Sequence, residues 1–166
     1  MKAAPNRTID GTDRRILELL QANARTPNVE IARRVGLAPS AVLERIRRLE
    51  RSGVITGFEA RIDSRAVGLS LVAFIFVRTS EPARSKRAQR ILSTVPEVQE
   101  VHHIAGEDCF LVKVRVANTE ALSRLLRDGI GAIKSVVATR TTIVLDTQKE
   151  TLQVPLDNAD SEARHE

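Results

Sequence analysis

The sequence is poor in aromatic residues: four Phe, no Trp and no Tyr, 2% of the chain. A protein that holds single-stranded nucleic acid by stacking bases on ring faces needs more, so that class is set aside. Cysteine occurs once, at Cys109. This excludes a disulfide within the chain and a zinc cluster built on cysteines, and it fits a reducing cytoplasm. No apolar run approaches the ~18 residues of a membrane span. The opening MKAAPNRTIDGTDRR carries no apolar core of a secretory signal, so a cytoplasmic protein is expected. No P-loop, dinucleotide-binding fingerprint or Ser/His/Asp arrangement is evident. Neither a cofactor nor catalysis is expected.

Apolar residues make up 42% of the 166 positions, enough to fill the cores of two small domains or one medium one. The net charge is +5, and its distribution says more than its total. Residues 1–65 carry +5, residues 66–147 carry +3 and residues 148–166 carry −3. The basic excess is densest in the first part, which favours an anionic partner there.

That first part reads as three helices. Asp10 can cap a helix with Ile16, Leu17, Leu19 and Leu20 on its apolar side, ending near Ala24. Beyond Pro27, Asn28 can cap a short helix with Val29, Ile31, Ala32 and Val35. Gly36 suits the positive φ of a tight turn. Pro39 and Ser40 open a third helix that runs to about Ser52 before Gly53. At 100° per residue Val42, Ile46 and Leu49 form one narrow stripe, and Ser40, Glu44, Arg47 and Arg51 lie opposite, flanked by Arg45 and Arg48. Val54–Ile62 reads as a bent strand, a small wing, leading into a linker.

The second part alternates strands and helices: a strand at Leu71–Thr79, a helix opened by Pro82 with Ala88, Ile91, Leu92 and Val95, and a strand at Val98–Ile104. After the turn Gly106-Glu107-Asp108 comes Cys109–Ala117, in which Phe110, Val112, Val114 and Val116 alternate with Leu111, Lys113 and Arg115. Thr119 caps a helix with Leu122, Leu125, Leu126 and Ile130, and Val136–Thr147 is the last strand. The order βαββαβ is a split-βαβ, ferredoxin-like pattern, so the fold class is α+β. Its helices cover one sheet face, and the other is expected to be covered by a partner subunit. The expected division is 1–55 for the helical domain, 56–69 for a hinge strand and linker, 70–147 for the βαββαβ domain, and 148–166 for a polar acidic tail that frays beyond Pro155.

Two short helices joined through Gly36, the second rich in arginine, make a helix-turn-helix. Such a helix fits the DNA major groove: residues near its N-terminus reach base edges and flanking arginines pair with phosphates. The candidate DNA-binding residues are therefore Pro39, Ser40, Ala41, Glu44, Arg45, Arg47, Arg48 and Arg51. The competing reading is a solvated helix with pairs such as Glu44–Arg48.

The stretch Val29-Glu-Ile-Ala-Arg-Arg-Val-Gly-Leu-Ala-Pro-Ser-Ala-Val-Leu-Glu-Arg-Ile-Arg-Arg-Leu-Glu-Arg-Ser-Gly-Val-Ile resembles the leucine-responsive (Lrp/AsnC, or feast/famine) regulators. So do Asp13-Arg-Arg-Ile-Leu-Glu-Leu-Leu-Gln, Ala60-Arg-Ile-Asp, Val67-Gly-Leu, Gly106-Glu-Asp-Cys-Phe-Leu-Val-Lys-Val and Thr141-Thr-Ile-Val-Leu. The resemblance spans roughly residues 9–147 with order and spacing intact. It implies a DNA-binding domain, a hinge strand, and an amino-acid-sensing domain that forms dimers through its sheet, and often tetramers or octamers. It implies further that an effector, commonly an amino acid, binds between dimers near the turn joining the second and third strands. That places Ile104, Gly106, Glu107 and Asp108 at the effector, the two carboxylates as acceptors for an ammonium group. Taken without the resemblance, the same residues read as a plain hairpin turn. The family often reads Gly-Asp-Tyr-Asp-Tyr here; this chain has Cys109 at the fourth position, so that carboxylate is either moved to Asp108 or lost.

His102 and His103 are adjacent on a strand and point to opposite faces, so no shared metal ion is expected. Cys109 reads as a packing residue rather than a nucleophile. The leading expectation is a sequence-specific, effector-responsive DNA-binding regulator acting on double-stranded DNA. The alternatives are an architectural nucleoid-type protein and, from the relatedness of some tetrapyrrole decarboxylases to the family, an enzyme using His102 or His103.

Overall fold

The computed structural model describes residues 9–82 and 85–156. The chain divides into two compact units, the first reaching Arg61 and taking in the chain again from Thr151, the second spanning Ile62–Glu150.

In the first unit Asp10 caps α1 (Gly11–Ala22) through a reciprocal capping box with Asp13. α2 (Asn28–Val35) is capped one residue earlier than expected: Pro27 holds the N-cap position and Asn28 is already helical, with no side-chain cap. Proline's fixed φ and the missing need for its N–H suit that end. α2 stops at Gly36, whose φ of 71° is left-handed, and the Leu37 N–H reaches back to the Ala32 carbonyl at 3.0 Å. α3 (Pro39–Arg51) carries proline in its first turn. Ile16, Leu20, Ile31, Ala32, Val42 and Ile46 form the core, so the stripe expected on α3 is the buried one.

The expected wing at residues 54–62 is not a strand. Between Gly53 and Ser70 the backbone is extended or turning, with no ladder partner among the described residues. A β-pattern needs a second strand to satisfy its N–H and C=O groups. The start of the acidic tail is held before Pro155, where the expected fraying begins. Gln21 and Val154 exchange two hydrogen bonds, side-chain Nε2 to Val154 O at 3.0 Å and Val154 N to Gln21 Oε1 at 2.7 Å. Gln153 Nε2 adds a third to the Gln21 carbonyl. Gln153 and Val154 are thus tied to α1; the tail beyond residue 156 lies outside the described residues.

The second unit is a four-stranded antiparallel sheet built from β1 (Leu71–Thr79), β2 (Val98–His103), β3 (Phe110–Val116) and β4 (Val136–Ile143). Its order is β2-β3-β1-β4. α4 (Arg87–Leu92) is shorter than expected, with Pro82 left in the preceding turn; the part of the expected helix at 83–84 lies outside the described residues. α5 (Thr119–Arg124) is capped by the Asn118 side chain, not by Thr119, and widens into a π-helical turn at Leu125–Ile130. Ala73, Ile75, Val77, Phe110, Val112, Val114 and Val116 face the helices and pack on Ala88, Leu92, Leu122, Leu125 and Ile130.

Register carries the alternation across the sheet. Val72, Phe74 and Phe76 stand opposite Arg115, Lys113 and Leu111 on the outer face. That face is not bare. Lys113 pairs with Glu100 at 3.1 Å and with Glu150. Arg115 meets Glu150 at 2.9 Å and Ser64 Oγ at 2.6 Å. The chain's own segments around Ser64 and Glu150 therefore supply partners for the two basic side chains.

Gly131 closes the π-helical turn, where a Cβ would come 2.4 Å from the Leu126 carbonyl oxygen. Gly131→Ala is expected to destabilise the chain by about 1–3 kcal/mol, read as a lower urea midpoint. Gly11→Ala, in open space in the first turn of α1, should leave the midpoint unchanged or raise it.

Candidate functional site

The first candidate surface is α3. Pro39 and Ser40 stand exposed at its N-terminus and Ala41 is half-buried. Glu44, Arg47 and Arg51 are exposed on the side away from the core. The helix pairs internally as Glu44–Arg51 at 2.7 Å rather than as Glu44–Arg48, and the Arg51 hydrogen bond lowers the Glu44 carboxyl below its ordinary pKa. Arg47 makes no ion pair or hydrogen bond among the described residues, although its charge also acts on Glu44.

Arg45 and Arg48 are engaged differently. Arg45 Nη1 lies 2.6 Å from Asp10 Oδ2 and 2.8 Å from Asp13 Oδ1. Arg48 Nη2 lies 2.5 Å from Asp13 Oδ2. Asp13 is fully buried, the one charged residue in the core among those described. The Arg45 hydrogen bond, followed by the Asp13 N–H, lowers the Asp10 pKa, and the same contact raises that of Arg45. On α2, Arg33 and Arg34 both bind Glu30, and the Arg33 hydrogen bond leads in bringing its pKa to about 2.

The second candidate surface is the turn between β2 and β3. The Ile104 N–H donates to the Cys109 carbonyl at 3.1 Å and closes it. Gly106 has φ of +134°, a conformation that side chains resist, with open space where a Cβ would stand. Glu107 is exposed, while Ile104 and Asp108 are half-buried. Asp108 Oδ2 is 3.2 Å from Arg140 Nη2 of β4, and the Arg140 guanidinium sits 4.0 Å over the Phe76 ring. The turn is thereby joined to the outer sheet face. Cys109 donates its N–H to Val77 O and lays its sulfur 3.5 Å from the Thr79 N–H, a packed position.

His102 and His103 do part to opposite sides. His102 binds Glu100 at 3.0 Å, and His103 packs its ring on Phe110 with centroids 5.3 Å apart. Among the described residues no group of three side chains is placed to hold a metal ion, and no helix is long and apolar enough to cross a membrane.

Sequence reasoning had no role for Arg140 and gave Asp13 none beyond its motif. Arg140 left no local signal, because its partners lie far away in sequence. Asp13 did leave one: with Ile16, Leu17 and Leu20 it falls on the buried side of α1, where an unpaired carboxylate is not tolerated.

Comparison with known proteins covers both units. Residues 9–56 match the winged helix-turn-helix DNA-binding family model, and residues 72–154 match the Lrp/AsnC ligand-binding domain. The chain is 42% identical over 148 residues to the HTH-type transcriptional regulator FL11 of Pyrococcus horikoshii, covering 89% of this chain and 97% of that one. It is 34% identical over 151 residues to the leucine-responsive regulatory protein of Escherichia coli, covering 90% and 92%. A transcriptional regulator of Neisseria meningitidis, solved in complex with L-methionine, superposes with a TM-score of 0.82 at 32% identity, covering 90% of this chain and 98% of that one. The helix-turn-helix, the ligand-binding sheet and these full-length likenesses together define a regulator rather than an enzyme, and the chain belongs to the Lrp/AsnC family of DNA-binding transcriptional regulators.

Proposed function

We propose that this chain is a cytoplasmic, sequence-specific regulator whose assembly or DNA affinity responds to an amino acid. The observation that carries the reading is the pairing, in one chain, of an exposed α3 surface with a sensing domain whose structural relative holds L-methionine. In this reading α3 enters the major groove. Pro39, Ser40 and Ala41 lie nearest the base edges, Glu44, Arg47 and Arg51 line the groove-facing side, and Arg45 and Arg48 serve the helix from its α1-facing flank. Ile104, Gly106, Glu107 and Asp108 form the effector turn. Because Asp108 is already held by Arg140, a zwitterionic amino acid would meet both charges there, ammonium toward the carboxylates and carboxylate toward the guanidinium. A ligand that joins subunits shifts assembly only by binding one state better than another.

The defining measurement is binding to a duplex selected by the wild-type chain from a random library, against a scrambled duplex, at constant salt. Strong preference for the selected duplex supports a specific regulator; equal affinity would favour an architectural protein. Arg47→Ala should weaken binding to both duplexes and flatten the plot of log K against log salt by about 0.9. Unchanged affinity and slope would remove α3 as the reader.

The half-buried Phe74 and Phe76 and the Leu111 beside them present apolar area on the outer sheet face, whose burial between subunits is worth ~25 cal/mol per Å². Sedimentation should show the wild type as a dimer or larger. Phe74→Glu, opposite Lys113, should shift it toward monomer without unfolding. A wild-type monomer at high concentration would contradict the proposed assembly.

Titration calorimetry with a panel of amino acids should give heat for at least one. Gly106→Val should abolish that heat and leave DNA binding without effector within about twofold, since φ of +134° excludes a β-branched residue. Equal heats in the two proteins would move the effector away from this turn.

A further inference from the structure

The apolar stripe of α3 fixes only coarsely which residues the helix presents. Val42 and Ile46 pack α3 into one core with α1 and α2, and Leu49 is also buried, but hydrophobic contact has no direction and leaves small rotations about the helix axis cheap. Directional contacts come from Arg45 and Arg48, three residues apart on one side. Both end on the same carboxylate, and every oxygen of the cluster is used. Asp13 Oδ1 takes Arg45; Oδ2 takes Arg48 and the Asp10 N–H. Asp10 Oδ1 takes the Asp13 N–H and Oδ2 takes Arg45. The capping box that starts α1 is therefore the anchor for α3.

We propose that Asp13 is a positioning residue for DNA recognition, its buried carboxylate setting the rotation of α3 through Arg45 and Arg48, which act as braces and not as phosphate contacts. The inference rests on α3 being the DNA-reading helix. At 100° per residue Arg47 lies about 200° from Arg45, so holding one side toward α1 turns the other outward. Pairing also removes charge: Arg45 and Arg48 are matched by Asp10 and Asp13, leaving Arg47 as the cation of α3 without a partner among the described residues. A buried charge keeps its geometry because any rotation that breaks a pair strands a carboxylate away from water. The geometry also favours arginine. Both contacts of Arg45 come from Nη1, which stands one bond further from the backbone than a lysine ammonium and is carried on a rigid planar group.

The test compares full-length wild type with Arg45→Lys, Arg45→Gln and Asp13→Asn, on the selected and scrambled duplexes over a salt series, with circular dichroism and thermal unfolding as folding controls. Arg45→Lys keeps the charge and loses the reach of Nη1. It should lower the preference for the selected duplex about tenfold while leaving the salt slope and the scrambled-duplex affinity unchanged. Arg45→Gln should do the same, with no loss of slope. Asp13→Asn, where it folds, should also lose preference while its scrambled-duplex affinity holds or rises, since two arginines are released toward phosphate. The proposal is overturned if Arg45→Lys keeps wild-type preference and Arg45→Gln flattens the slope by about 0.9, the signature of a phosphate contact. It is equally overturned if folded variants lose affinity for both duplexes by one common factor. Failure of α3 as the reader is recognised separately, by an Arg47→Ala variant that changes neither affinity nor slope.

Discussion

The second unit depends on a strict alternation in β3. Phe110, Val112, Val114 and Val116 are buried on one side, and Leu111, Lys113 and Arg115 lie on the other. A slip of one residue against β1 would carry two cations into the core and four apolar side chains out of it. That constraint fixes the pairing of β3 with β1, and through β1 the place of β4 at the sheet edge. It also decides that both helices lie on the Val112 side. The outer face is left amphipathic, with half-buried phenylalanines and basic residues held by carboxylates. Such a face suits an interface whose apolar centre is bordered by satisfied charges.

Much of this was legible in the sequence because it is written in local periods. Three helices, a βαββαβ order, the α3 stripe, the alternation in β3 and the divergence of His102 from His103 all follow from periods of 3.6 or 2. Ends of elements were less legible. Asn28 and Thr119 look like caps by composition, but Pro27 and Asn118 occupy those positions, one residue earlier, because an N-cap is chosen by backbone geometry among several polar candidates. The strand read at residues 54–62 had the composition of a strand and no partner, and composition cannot supply one.

Long-range polar contacts were the least legible. The Asp108–Arg140 pair and the Lys113–Glu150–Arg115 cluster join residues more than thirty positions apart. Nothing in either local sequence names the other. Asp13 stands between the two cases. Its burial was readable from its place beside Ile16 and Leu20, whereas the identity of its partners was not. The candidate DNA-binding arginines were read as one class from their type and spacing, and the structure divides them: Arg45 and Arg48 on carboxylates of α1, Arg51 on Glu44, and Arg47 outward.

The return of the chain to Gln21 has a consequence in time. The first unit is discontinuous in sequence, its last hydrogen bonds coming from Gln153 and Val154. During synthesis the three helices emerge first and can collapse on Ile16, Ile31 and Val42. They acquire the contacts to Gln21 only after the whole sheet has been made. A nascent chain stalled anywhere within the second unit therefore displays α3 on a helical unit that still lacks its final segment.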